Sequence, residues 1–421
     1  MIRKGIIRGI QIALIPVVCG IAGLLLLAAA FLLPTERIAS NVRKSVPVLT
    51  QETDYFSVTP TVEGTRLDNF TEAIYLNEAL VSTKDAGLIQ CILSGYQFNP
   101  ADSTGLQVEK LSKVMAEPEG NRLSAESKRF FNGYETVVKP LLMLTDYSGI
   151  RQINLFAGLF LTLWLLYLMM KRGLRAYILP VVVSLLFIRP LTLMLNMTFF
   201  GFYVCMLVPC ILILLSKEEM LRKRAWLLFG MTGAVTYYFN MNYIQLLSFG
   251  VPMIFYFLAA GVPEKPFALL KTAAYLFAAW LAGCVGMMVF KWVAYALLID
   301  SNIFSQMKDY FLMRTDVDKG SRLSAVRANL ETAFSSTWWN IAEIIFVAAT
   351  VANRIRHRKK PDFSAPEIIL MAVTAALPVG RCLILSNHVI NHYWVTYRLM
   401  MIPVLAFNIF ITKTGQKEKT A

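Results

Sequence analysis

The sequence predicts an all-α polytopic membrane protein, with about ten transmembrane helices and a large first extracytoplasmic loop containing amphipathic helices. Three observations carry this. Apolar stretches recur at lengths near the ~20 residues that a helix needs to cross ~30 Å of hydrocarbon. Only 16% of residues are charged and 56% are hydrophobic, with a mean hydropathy of +0.54, whereas a soluble domain carries about 25% charged residues. Lys and Arg sit at the ends of the apolar stretches, the positive-inside pattern of membrane topology. Lipid offers no partner to a backbone N–H or C=O, so a crossing is a helix or part of a closed barrel. Near-continuous Leu, Phe, Val and Met lack the alternation of a barrel strand.

Taken in order, residues 1–33 form the first transmembrane helix. Its apolar run follows Arg3, Lys4 and Arg8 and has no clear small-residue cleavage site before Pro34, so it reads as a retained helix with its N-terminus inside. Residues 34–150 turn to mixed polar and apolar character and form the extracytoplasmic loop. Within it, 67–81 place Phe70, Ile74 and Leu80 on one helical face, and 124–144 read as a juxtamembrane helix in the headgroup zone. Residues 151–299 hold transmembrane helices 2–7, at 153–170, 177–193, 199–215, 226–239, 244–260 and 268–298. Residues 300–336 form a second, polar extracytoplasmic loop. Residues 337–421 hold helices 8–10, at 338–352, 368–385 and 395–411, and a cytoplasmic tail. On this arrangement the short inner loops and tails gather roughly twenty Lys and Arg, and both termini are cytoplasmic in a multi-pass plasma-membrane protein.

Composition narrows the function classes. The formal net charge of +14 does not point to nucleic acid, because the basic residues lie at segment ends and not on one folded domain. Six cysteines show neither a pairing framework nor CxxC spacing, which argues against disulfides and zinc. Strand-linked GxGxxG, GxxxxGK[ST] and GxSxG are missing, which disfavours nucleotide hydrolysis. Glu343 is the nearest thing to a deep intramembrane acid, which weighs against proton-coupled transport.

Candidate chemistry gathers at the predicted outer level. Arg189 and Arg381 lie in or at the margin of apolar helices, Arg151 and Arg398 at outer helix ends, and His388 and His392 flank the last outer turn; Asn240 caps another. Guanidinium binds phosphate bidentately, so such a set could clamp the phosphate of a lipid whose tail lies in the bilayer. Each Arg could equally snorkel to headgroups. The i, i+4 spacing of His388 and His392 suits a metal on a helix, but their turn has no acidic partner, which favours interfacial or phosphate contacts. In the large loop Asp68 and Glu72 are also i, i+4. One carboxylate could deprotonate an acceptor hydroxyl; alternatively Asp68 or Asn69 simply caps a helix.

Three stretches carry a family resemblance. They are Arg129-Phe130-Phe131-Asn132-Gly133-Tyr134 with Lys139-Pro140-Leu141-Leu142 and Ile150-Arg151-Gln152-Ile153-Asn154; Tyr238-Phe239-Asn240-Met241-Asn242-Tyr243; and Asn387-His388 through His392-Tyr393-Trp394 to Tyr397-Arg398. With one inner-anchored helix, a long outer loop and short-looped hairpins, the chain resembles the GT-C-type, polyprenyl-phosphate-sugar-dependent membrane glycosyltransferases of bacterial cell-surface polysaccharide pathways. It departs from the pattern at Asn240, where an acid often stands, and at Asn132, where a histidine often stands. The resemblance implies transfer of a sugar from a polyprenyl-phosphate carrier to a cell-surface glycan or other acceptor outside the membrane. Asp68 stands where the class places its base, with Glu72 assisting. The implied partners are membrane lipid, polyprenyl-phosphate-linked sugar and a glycan acceptor, with no nucleic acid. No metal ligand set is assigned, and a divalent cation stays open. The alternative is a non-catalytic membrane protein, such as a lipid-linked glycan transporter or an assembly partner.

Overall fold

The computed structural model describes residues 2–102, 104–239, 244–315, 322–357 and 364–413, with side chains from Arg8 onward. Asn240 and its neighbours to Tyr243 lie outside the described residues. The fold is helical almost throughout. Among the described residues, six helices are long and apolar enough to cross a membrane: Arg8–Phe31, Tyr147–Lys171, Met197–Leu215, Pro266–Leu298, Ala365–Ile384 and Tyr393–Thr412. Arg175–Phe187 and Leu247–Ala260 are apolar but shorter.

Helix α1 (Ile2–Phe31) stops just before Pro34, and α2 (Thr35–Glu52) starts behind that proline. Proline disfavours helical backbone in the residue before it and is tolerated at a helix start. The stretch up to residue 146 then builds a unit of its own. It holds α3 (Asn69–Leu80), α4 (Thr83–Ala86), α5 (Leu88–Ser94), β1 (Tyr96–Asn99), α6 (Gln107–Ala116), β2 (Arg122–Ala125) and α7 (Glu135–Leu144). β1 and β2 pair antiparallel, Tyr96 opposite Ala125. Ile38, Val42, Leu76, Leu111, Val138 and Leu142 form this unit's core.

Two details depart from expectation. α3 turns Glu72, Ala73, Leu76 and Ala79 into the protein and leaves Phe70 and Ile74 half-buried. It is packed by α2, α6, α7 and β1 together, so more than one apolar stripe is covered. The 124–144 stretch is not one headgroup helix: it ends β2, turns, and begins α7 only at Glu135. α7 buries Glu135, Val138, Lys139 and Leu142 against its neighbours.

The remaining helices are α8 (Tyr147–Lys171), α9 (Ile178–Phe187), α10 (Pro190–Met194), α11 (Met197–Leu215), α12 (Glu218–Tyr238), α13 (Leu247–Ala260), α14 (Pro266–Leu298), α15 (Ile303–Thr315), α16 (Arg322–Ala333), α17 (Thr337–Arg356), α18 (Ala365–Ile384), α19 (Ser386–Asn391), α20 (Tyr393–Thr396) and α21 (Met401–Thr412). The expected 177–193 crossing breaks at Arg189, whose φ of 55° ends α9 and whose Pro190 starts α10. α12 and α14 cross backbone to backbone. A Cβ at Gly283 would stand 2.1 Å from the Gly230 carbonyl oxygen, and one at Gly233 2.0 Å from that of Trp280, so only glycine permits this approach. The 300–336 region carries the helices α15 and α16, not a polar loop, and both help to wall the cavity or the buried arginines described next.

Candidate functional site

The polar residues sort into two clusters. The first surrounds α3. Asp68 is its N-cap: Oδ1 accepts from the Thr71 N–H at 3.2 Å and Oδ2 from the Thr71 hydroxyl at 2.7 Å. Burial, with Glu72 and Asp54 nearby, holds the Asp68 carboxyl up at about 7. Glu72 reaches across to the start of α11. Its Oε1 accepts from Thr198 N–H (2.9 Å) and Thr198 Oγ1 (2.7 Å), and its Oε2 from Met197 N–H (2.7 Å) and Tyr147 OH (2.9 Å). Two otherwise partnerless donors of a helix start are thus satisfied by a carboxylate 125 residues away in sequence. Burial raises Glu72 and those bonds oppose the rise.

The arginines of this cluster are similarly engaged. Arg151 grips Glu52 with two bonds of 2.6 Å and lies over the Tyr147 ring. Arg398 is fully buried and donates to the carbonyls of Ile188 (3.1 Å), Trp394 (3.3 Å) and Gly64 (2.9 Å). Arg189 donates to Thr332 O and Ser335 Oγ and stacks 4.5 Å above the Tyr397 ring. A Cβ at Gly64 would collide with that guanidinium at 1.6 Å, so the glycine lets the Asp68-bearing turn sit on Arg189 and Arg398. Arg66, paired with Glu63, also lies over the Trp394 ring. The structure therefore brings the Asp68 turn, Arg189 and Arg398 together.

The second cluster is a cationic cavity of about 360 Å³. Arg129, Arg314 and His388 line one end of it, with Arg381 and His392 behind. Arg314 donates to His388 Nδ1; a guanidinium has no acceptor, so Nδ1 is the bare ring nitrogen. The His388 and His392 rings stand 4.8 Å apart. Burial, with Arg314 and Arg381 close by, pushes His392 down to about 3. Arg129 and Arg314 both stack on Tyr310, at 4.1 and 4.8 Å. Trp292 Nε1 donates to the Arg129 carbonyl at 3.1 Å, which places the cationic end beside Trp292.

From there the wall runs down α14 through Met288, Val285, Leu281 and Trp280, one helical stripe of about 18 Å at 1.5 Å per residue. Leu281, Val285 and Phe311 are exposed on the protein's flank, so the cavity opens sideways. No carboxylate is among its described lining residues. Among the described residues no group of three His, Cys, Asp or Glu is arranged to hold a metal.

Of the residues singled out from sequence, Asp68, Glu72, Arg151, Arg189 and Arg398 thus belong to the first cluster, and Arg381, His388 and His392 to the second. Arg314 and Tyr310 escaped sequence reading because they sit in a segment that reads as a polar loop. Arg129 lay inside a quoted motif, but nothing local gave it a role. A further buried set also went unread. Glu78, held up at about 7 by burial, accepts from Gln97 and Tyr134. Lys139 donates to Ala79 O and Val81 O, and Lys291 to Leu93 O. The Glu78 and Lys139 bonds knit the 34–146 unit together, and the Lys291 bond fastens it to α14. Compared with family models, curated proteins and solved structures, the chain matches none of them.

Proposed function

We propose that this is a GT-C-like glycosyltransferase that takes a sugar from a polyprenyl-phosphate carrier in the outer leaflet and transfers it to a glycan or other acceptor. In this reading the chain crosses the plasma membrane about ten times, both termini are cytoplasmic, and the 34–146 unit is extracytoplasmic. The observation that carries it is the shape and charge of the lateral cavity: a long apolar stripe on α14 ends at Arg129, Arg314 and His388. An isoprenoid tail matches the stripe, and a phosphate matches the arginines, which bind it through charge-assisted hydrogen bonds. The acceptor oxygen attacks the sugar C1 as the C1–O bond to phosphate breaks. The departing phosphate keeps the bonding electrons and is stabilised by the cations. Asp68, poised near neutrality, takes the acceptor's proton. Its turn packs on Trp394, two residues beyond His392, so the acid and the cations flank one segment.

A second reading, a non-catalytic binder or carrier of lipid-linked glycan, is favoured by one observation. Asp68 and Glu72 both already serve as helix caps, and the described cavity wall has no acid. The discriminating experiment uses purified protein in lipid nanodiscs with a panel of synthetic polyprenyl-phosphate sugars, reading release of free polyprenyl phosphate. The transferase reading expects release by the wild type and a loss of about 100-fold or more in Asp68→Asn, the scale of a general base, with an unfolding temperature no lower than the wild type's. Undiminished release by the variant removes Asp68 from the chemistry. Tight carrier binding without release from any donor leaves the carrier reading.

A further inference from the structure

α15 and α16 do not present a polar surface to water. Phe304, Phe311 and Leu312 of α15, and Leu323, Leu330 and Phe334 around α16, are all exposed. Leu323 is 72% exposed, and Trp338, just beyond α16, is 83% exposed. Contiguous exposed apolar surface of this kind marks an interaction face.

Neither helix can cross a membrane: at 13 and 12 residues they fall well short of the ~20 required. Their position is nonetheless fixed by short tethers. Residues 299–302 join α15 to the end of α14, and residues 334–336 join α16 to the start of α17. α14 is long and apolar enough to span, and its last turns expose Val293, Leu297 and Leu298. Among the described residues, exposed apolar side chains therefore continue from the end of a spanning helix onto α15, and from α16 on to Trp338. The opposite faces are packed inward. Ile303, Met307, Ala325 and Asn329 are buried, and the Asn329 side chain accepts from Thr396 Oγ1 at 2.9 Å.

We infer that α15 and α16 are in-plane helices seated in the outer lipid leaflet, with the leaflet itself as the partner of their exposed face. The charges suit this seat. Lys308 and Arg327 lie on the exposed side on stems long enough to reach headgroup phosphates, and Arg327 is also paired with Glu331. α15 then stands between leaflet and cavity: Phe311 is exposed to the flank while Arg314, three residues on, lines the cationic end. The seat does not depend on what the cavity binds.

The test is site-directed spin labelling of the full-length chain in vesicles. Single cysteines replace Phe304, Leu312, Leu323 and Phe334 in turn. Five of the six native cysteines are buried and Cys19 is half-buried, so the unsubstituted protein supplies the blank. Val289→Cys on α14 is the lipid reference and Glu119→Cys in the exposed 117–121 turn is the water reference. Relaxation by lipid-soluble oxygen that exceeds relaxation by a water-soluble nickel chelate several-fold, as at Val289, is the expected result. A water-like pattern at these positions overturns the proposal. Protection from both agents also overturns it, and assigns the face to a protein partner or a second copy.

Discussion

The acid-side cluster around α3 and the cationic cavity beside α14 use similar residue types to opposite ends. In the first, three long side chains are answered from within the chain: Glu72 by four donors, Arg151 by Glu52, Arg398 by three carbonyls. In the second, arginines meet aromatic faces and a histidine, and no acid lines the described wall. Buried polar groups without partners are costly, so side chains that are internally satisfied, as Glu72, Arg151 and Arg398 are, hold the fold. A cluster of like charges gathered at the end of an apolar groove is what an incoming anion would stabilise, which is the role proposed for it above. Burial alone does not separate the two; the partners do.

The sharpest way to break this contrast is Glu72→Ala. It orphans two helix-start N–H groups and two hydroxyls, and the expected cost is about 3 kcal/mol or more, since each buried donor left bare costs about 1–3 kcal/mol. Thermal unfolding in detergent would show it, while carrier binding per folded molecule stays unchanged. Survival at wild-type stability would remove Glu72 from the architecture.

The Asp68 carboxyl gives a pH signature from the same cluster. Held at about 7 in the folded chain and ~3.9 when unfolded, it binds its proton more tightly in the folded state. Its contribution is full below about pH 4 and is lost as pH rises through 7. Glu78 titrates in the same direction, so the informative quantity is the difference between wild type and Asp68→Asn. Asparagine keeps the cap, and the variant should gain stability relative to wild type steadily from pH 4 to 7. A difference that does not change with pH would contradict the buried, proton-holding Asp68.

The cavity side is sharpened by Arg314→Ala. Loss of one charge-assisted contact should weaken polyprenyl monophosphate binding about ten- to a hundredfold, with polyprenyl alcohol as the headgroup-free control and little change in unfolding temperature. Equal weakening toward both lipids would mean that Arg314 shapes the groove and does not read phosphate.

Some of this was legible in the chain. The apolar stretches at 6–33, 153–170, 199–215 and 268–298 each became a long apolar helix, because hydrophobic length is a property of contiguous residues. Asp68 as a helix cap was one of the two alternatives open to it, and capping is likewise local. The helices at 303–315 and 322–333 were not legible, since polar residues interleave with the apolar ones and the covering surface is supplied by other helices. The internal break at Arg189 could be suspected from Pro190, but the positive φ needed the packed environment of Tyr397 and Gly64.

What the sequence determined by itself is therefore helical architecture, apolar length and the placement of basic residues at segment ends, all set by local composition and the inability of lipid to satisfy a backbone. Only the tertiary structure decided which polar residues are partners. Glu72 meets Met197, Arg314 meets His388 74 residues away, and Arg398 meets Gly64 across 334. Such pairings depend on loop closure and helix crossing, which one-dimensional spacing does not encode. They alone separate the side chains that hold the fold from those that line a site.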